Sequence, residues 1–140
     1  MHDILMSQIK QEVTQHGVQE LRTPQDVDTL LKNQKGTVLL FVNSVCGCAG
    51  GIARPALLQS MKHAVKPDVF ATVFASGDRE ATMKAREYFT GMPPSSPSFA
   101  LLKDGKLVHM IHRSEIEISD VPELVKYLTD TFEKYCISQN

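Results

Sequence analysis

In Thr37-Val38-Leu39-Leu40-Phe41-Val42-Asn43-Ser44-Val45-Cys46-Gly47-Cys48-Ala49-Gly50-Gly51, six apolar or β-branched residues run directly into two cysteines separated by one glycine. A short, nearly all-apolar run is the pattern of a central strand covered on both faces. The cysteines then fall between the carboxyl end of that strand and the start of the next helix. Open α/β sheets gather ligands and reactive groups at this place.

The flanking sequence repeats the same alternation. Upstream, Leu5, Ile9 and Val13 recur at helical spacing, with Gly17 as a left-handed C-cap, and Val18–Leu21 forms a short strand. Thr23 caps a second helix with Pro24 at its first position and Val27, Leu30 and Leu31 on its apolar face, and Gly36 ends it. Downstream, Ile52, Ala56, Met61 and Val65 predict a helix that Pro55 bends near its start. Val69–Phe74 is a second buried strand, followed by a helix that Asp78 caps, that carries Ala81, Ala85, Tyr88 and Phe89, and that Gly91 closes. Ser98–Leu102 and Lys106–Ile111 flank Asp104-Gly105, a tight-turn pair, and form a hairpin. Asp120, with Pro122 in the first turn and Glu123 three residues on, opens a last helix whose Val121, Leu124, Val125, Leu128 and Phe132 face the core. The expected class is α/β, a central mixed sheet with helices on both faces and an additional N-terminal helix. Apart from that first helix, the order is that of the thioredoxin fold.

Composition narrows the function. A chain of 140 residues, 42% hydrophobic and 22% charged, can bury one continuous core, so residues 1–140 are expected to form a single domain. A formal net charge of −1 gives no whole-molecule field to attract nucleic acid or an anionic membrane. Met1-His2-Asp3-Ile4-Leu5 lacks the basic and apolar segments of a secretory signal, and no apolar stretch reaches membrane-spanning length. The expected location is the cytoplasm. In that reducing compartment three cysteines are no disulfide scaffold, and a close pair means redox or metal chemistry.

At a helix start, free N–H groups and the helix dipole favour an anion, so Cys46 is the expected attacking thiolate. A Cys46–Cys48 disulfide closes a very small ring, with Gly47 relaxing the backbone. Such a bond is strained and readily reduced, which suits a catalyst better than a brace. Gly50 and Gly51 leave room for a bulky thiol ligand or a substrate backbone. Arg54, one turn on, is a candidate to steady a thiolate or a carboxylated thiol ligand, against the plainer reading of a solvated helix face. Ser96-Pro97 directly precedes a strand, where the fold carries a cis-proline beside its reactive cysteines, and its backbone edge can receive a client segment. Against these stand two cysteines packed as small apolar residues, and a noncatalytic Cys-X-Cys metal carrier. For the latter, His2, His16, His63, His109, His112 and Cys136 show no paired ligand spacing. His109 and His112 receive no role, and Cys136 reads as a packed or idle thiol.

Asn43-Ser44-Val45-Cys46-Gly47-Cys48-Ala49, Ala53-Arg54-Pro55-Ala56, Arg86-Glu87-Tyr88-Phe89-Thr90-Gly91 and Pro94-Ser95-Ser96-Pro97-Ser98 together resemble the bacilliredoxin family, over nearly the whole chain. The resemblance implies a bacterial cytoplasmic thiol–disulfide oxidoreductase that removes bacillithiol from protein mixed disulfides. It implies Cys46 as nucleophile and Cys48 as resolving cysteine, while Gly47, Arg54, Ser96 and Pro97 are expected at the substrate from their own places beside the cysteines and before the strand. It further implies no tightly bound cofactor, bacillithiol as the exchanging thiol, bacillithiolated proteins as clients, and free bacillithiol or a flavoprotein reductase for regeneration. A general protein disulfide isomerase is the alternative within redox chemistry.

Overall fold

The computed structural model describes residues 2–33 and 35–137; readings that rest on the side chain of His2 or on the tail 138–140 lie outside them. The elements are α1 (His2–Thr14), β1 (Gln19–Glu20), α2 (Pro24–Asn33), β2 (Thr37–Asn43), a π-helical turn (Ala49–Ala53), α3 (Arg54–Ser60), β3 (Val69–Phe74), α4 (Arg79–Glu87), β4 (Ser98–Lys103), β5 (Lys106–Ile111), α5 (Arg113–Glu117) and α6 (Val121–Tyr135). One mixed sheet runs in the order β1-β3-β2-β4-β5. β3 lies parallel to β1 and β2, while β4 is antiparallel to both β2 and β5.

β2 is central because all seven of its residues are buried, and alternation assigns them to two cores. Leu39 and Phe41 join Val13, Phe70, Phe99, Leu101, Leu124, Leu128 and Phe132 beneath α1, α3 and α6. Val38, Leu40 and Val42 join Val27, Leu31, Val73, Ala81, Ala85 and Leu102 beneath α2 and α4. Each large side chain withdrawn from water contributes about 1.5–3 kcal/mol. Phe41 and Phe99, opposite each other in the β2–β4 register, stack with ring centroids 4.8 Å apart. Directly behind the cysteines, the sheet is therefore a rigid floor.

The turns follow the expected chemistry. Thr23 Oγ1 accepts from Asp26 N, and Asp120 and Glu123 exchange reciprocal bonds at the start of α6. Asp104 and Gly105 both take positive φ, and a Cβ at Gly105 would stand 2.7 Å from the Leu31 carbonyl oxygen, so the hairpin needs glycine there on two counts. Asp78 differs from its expected capping role. It occupies the N-cap position of α4, but its carboxylate turns to Lys10 of α1 at 2.7 Å and no side-chain cap bond forms.

The segment after the cysteines also departs from the sequence reading. Helix begins at Gly47, widens into the π-helical turn, and α3 stops at Ser60 instead of continuing to Val65. Pro55 lacks an N–H and its ring crowds the carbonyl four residues back, so the turn opens and Arg54 N bonds to Ala49 O. At the far end Ser60 Oγ donates to Leu57 O at 2.7 Å, and the chain turns toward Pro67. α5 was not expected from the sequence at all.

Candidate active site

Cys46 and Cys48 sit beyond the carboxyl end of β2, both partly buried, with their sulfurs 3.2 Å apart. The backbone around them is held from three sides. Val45 N donates to Ser76 Oγ at 3.1 Å, while Ala49 N and Gly50 N both donate to Cys46 O, starting the helix. Ser44 N donates to Asn43 Oδ1, and Ser44 O accepts from Arg54 Nη1, both at 2.9 Å. With its own peptide fixed in this way, Ser44 aims its hydroxyl at Cys46 and donates to Sγ at 3.3 Å.

The two thiols differ electrostatically. Burial pushes the Cys46 thiol up, but hydrogen bonds from Ser44, Cys48 and Ala49 N–H, with the nearby charge of Arg113, bring it below the ordinary thiol value. Burial pushes Cys48 up as well, and there the hydrogen bond to Cys46, its negative charge and that of Glu117 add to the rise despite Arg113. Cys48 also packs against the core beneath α3 and α6. One thiol is thus the better anion at neutral pH, and the other is held protonated within reach of it. Ser44→Ala removes the main donor to the Cys46 sulfur; alkylation by iodoacetamide is expected to slow about two- to fivefold at pH 7. On the alkaline plateau the rate should match the unaltered chain, and a pH profile of alkylation checks both.

Ser96–Pro97 is a cis peptide bond, as its topological position predicts. Pro97 is buried and directly precedes Ser98, which pairs with Val42 of β2, so the proline loop borders the strand end that bears the cysteines. Arg113 at the start of α5 joins the same edge, donating through Nη1 to Ser96 O at 3.2 Å. The backbone edge expected to receive a client is therefore partly engaged by this arginine.

Arg54 requires a correction. It is 5% exposed, with Nε bonded to Glu12 of α1 at 2.7 Å and Nη1 to Asn43 Oδ1 and Ser44 O. It faces neither the thiols nor solvent, but ties α1 to the end of β2. Gly50 is corrected with it, because a Cβ there would stand 2.8 Å from Arg54 Nη2. Its bare backbone makes room for the guanidinium, whereas Gly47 and Gly51 face open space.

Ser44, Arg113 and Glu117 were missed as site residues. Ser44 carried a local signal, a hydroxyl two positions before the cysteine. Arg113 carried a weaker one in His112-x-x-Glu115, whose carboxylate accepts from His112 N at 3.0 Å and fixes the start of α5. The other Glu115 oxygen accepts from Tyr127 OH, whose oxygen also contacts His109 Nε2 at 2.9 Å. His109 is thereby a packing partner of α6, with burial lowering its pKa. Burial and Glu115 push Tyr127 up to about 12, so it remains a donor at physiological pH. Cys136 contacts Thr37 at the far end of β2 from Cys46, a strand about 20 Å long. Among the described residues, no group of three or more His, Cys, Asp or Glu is arranged to hold a metal ion, and no helix is long and apolar enough to cross a membrane.

Comparison with solved structures agrees with this topology. A thioredoxin of Malassezia sympodialis superposes with a TM-score of 0.61 at 15% identity, covering 86% of this chain and 91% of that one. The oxidised thioredoxin of Plasmodium falciparum gives 0.60 at 21% identity, covering 86% and 99%. Among sequences, the family described as Disulphide isomerase matches residues 1–136. A bacilliredoxin of Geobacillus kaustophilus is 51% identical over 136 residues, 97% of this chain and 93% of the relative. One from Staphylococcus aureus is 52% identical over 132 residues, 94% and 90%. A dithiol at the strand end of a thioredoxin fold, in a chain this similar to those relatives over nearly its full length, makes this protein a thiol–disulfide oxidoreductase that belongs to the bacilliredoxin family.

Proposed function

We propose that the enzyme removes bacillithiol from protein mixed disulfides, with Cys46 as nucleophile and Cys48 as resolving thiol. The observation that carries this reading is the 3.2 Å contact between two thiols whose acidities are shifted in opposite directions. The Cys46 thiolate attacks the bacillithiol sulfur of the mixed disulfide; a new S–S bond forms and the client sulfur leaves with the electron pair. Cys48 then loses its proton and attacks Cys46 Sγ, expelling bacillithiol as thiolate and leaving a Cys46–Cys48 disulfide. That disulfide has taken up the oxidation originally on the client, and free bacillithiol or a flavoprotein reductase restores the dithiol. No tightly bound cofactor enters this cycle. Gly47, with open space beside it, admits the adduct, and Ser96 and Pro97 border its path. A close dithiol that works reduced belongs in a reducing compartment, and on that ground we assign it to the cytoplasm.

A second reading, general disulfide isomerisation, is favoured by the description of the matching family. The two separate in one experiment. Reduced enzyme is mixed with a client bearing one bacillithiol adduct and, separately, with a client holding non-native disulfides, and all products are weighed intact. Loss of the adduct from the client with its transient appearance on the enzyme is the expected result. Repair of the scrambled client while the adduct stays in place would replace the first reading by the second.

A further inference from the structure

Arg113 begins α5, and α5 packs against the π-helical turn that follows the cysteines. Its guanidinium is divided between two partners. Nη1 donates to Ser96 O, and Nε pairs with Glu117 one turn along the same helix. Both side chains of this ion pair are close to half exposed. An exposed pair between i and i+4 is worth little in water, so a second carboxylate can take the place of Glu117 at small cost. The charge of Arg113 also acts on both thiols, and that of Glu117 opposes it at Cys48. The arginine therefore stands at the proline loop that borders the cysteines, close enough for its charge to act on both sulfurs. Arg54, the cation the sequence offered for this role, is buried on Glu12, Asn43 and Ser44.

We propose that Arg113 is a specificity-determining residue for anionic thiols, exchanging its contact with Glu117 for a carboxylate of the small thiol that Cys46 removes. The inference rests on the exchange reading above. In that step Cys46 Sγ forms a bond to the small-thiol sulfur, the bond to the client sulfur breaks, and the client leaves as thiolate with no net oxidation. The carboxylate stays ionised and no proton crosses to Arg113. Glu117 acts as a placeholder that keeps the guanidinium oriented while the site is empty.

The test compares alkylation of Cys46 by iodoacetate, which is anionic, with alkylation by iodoacetamide, which is neutral, in the full chain on the alkaline plateau. The ratio of the two rates cancels any change in folding or thiol reactivity that affects both reagents. Arg113→Ala is expected to lower the iodoacetate to iodoacetamide ratio about fivefold, and Arg113→Lys to restore most of it. Glu117→Gln is expected to raise it about threefold by removing the competing carboxylate. In parallel, a single-thiol client is loaded with glutathione, which is net negative, or with 2-mercaptoethanol, which is neutral; Arg113→Ala should lower the preference for glutathione by a similar factor. An unchanged alkylation ratio in Arg113→Ala, or a lowered one that Arg113→Lys does not raise, overturns the proposal. If the unaltered enzyme transfers neither adduct while the alkylation ratios shift as expected, the exchange reading fails and the charge recognition at Arg113 stands.

Discussion

Cys46→Ser is expected to abolish removal of bacillithiol from a modified client, by more than about a thousandfold, because a neutral hydroxyl is a far poorer nucleophile toward sulfur than a thiolate. Cys48→Ser has a different expected outcome. The first transfer still occurs, the adduct stays trapped on Cys46, and turnover then depends on added thiol. Cys136→Ser should change the rate less than about twofold, since that sulfur lies at the other end of β2. The pH dependence follows from the shift at Cys46. Attack is full above its lowered pKa and fades as the pH falls through it, so activity should persist to lower pH than an ordinary thiol allows. Intact-mass measurement of enzyme and client after mixing distinguishes these cases. An active Cys46→Ser chain carrying its adduct on Cys48 would exchange the two roles, and transfer by the double variant would end the mechanism.

The features legible in the sequence are those whose cause is local. β2 announces itself because a strand buried on both faces has no polar alternation to disguise it, and the hairpin because Asp104-Gly105 can take positive φ. Cys46 and Cys48 are legible for the same reason, being neighbours in the chain as well as in space. Pro97 required topology. Its cis bond and its place beside β2 were inferred from where it stands in the order of elements, and the β2–β4 register bears out that placement.

What stayed hidden depends on long-range packing or on helical phase. α5 has five residues and one buried apolar side chain, Ile116, too few for a periodicity to show. Its anchor, Tyr127, is contributed by α6. The acidic partner of Arg113 was equally invisible while the helix carrying both was unrecognised. Arg54 was hidden for the same reason, since its partners Glu12, Asn43 and Ser44 come from α1 and the end of β2 and leave no mark in local spacing. The π-helical turn contains one extra residue, which rotates every later side chain by about 100°.

Replacing this arginine should therefore damage the scaffold before the chemistry. Arg54→Met keeps an unbranched apolar stem, ends where the guanidinium begins, and removes every donor. Ser44 O then loses a donor in a buried site, Asn43 Oδ1 keeps the bond from Ser44 N alone, and Glu12 loses its partner on α3. Glu12 is half exposed, so its ion pair contributes at most about 1 kcal/mol. The two bonds inside the protein weigh more, about 1–3 kcal/mol each when one partner is stripped away. Asn43 Nδ2 is already without a hydrogen-bond partner among the described residues, so the cluster has no spare donor to redirect without breaking its geometry. The expected loss is about 3 kcal/mol, a fall in Tm of about 10 °C in a thermal melt followed by circular dichroism. Arg54→Lys should recover about half of it, because one ammonium can serve Glu12 or the strand end but cannot span both. Well below the melting transition, the Met variant should also alkylate more slowly at pH 7 than the unaltered chain, since an unpinned Ser44 no longer aims its hydroxyl at Cys46. A melting temperature within about 2 °C of the unaltered chain would show that α1 and β2 hold together without the arginine, and that Ser44 is positioned by the sheet alone.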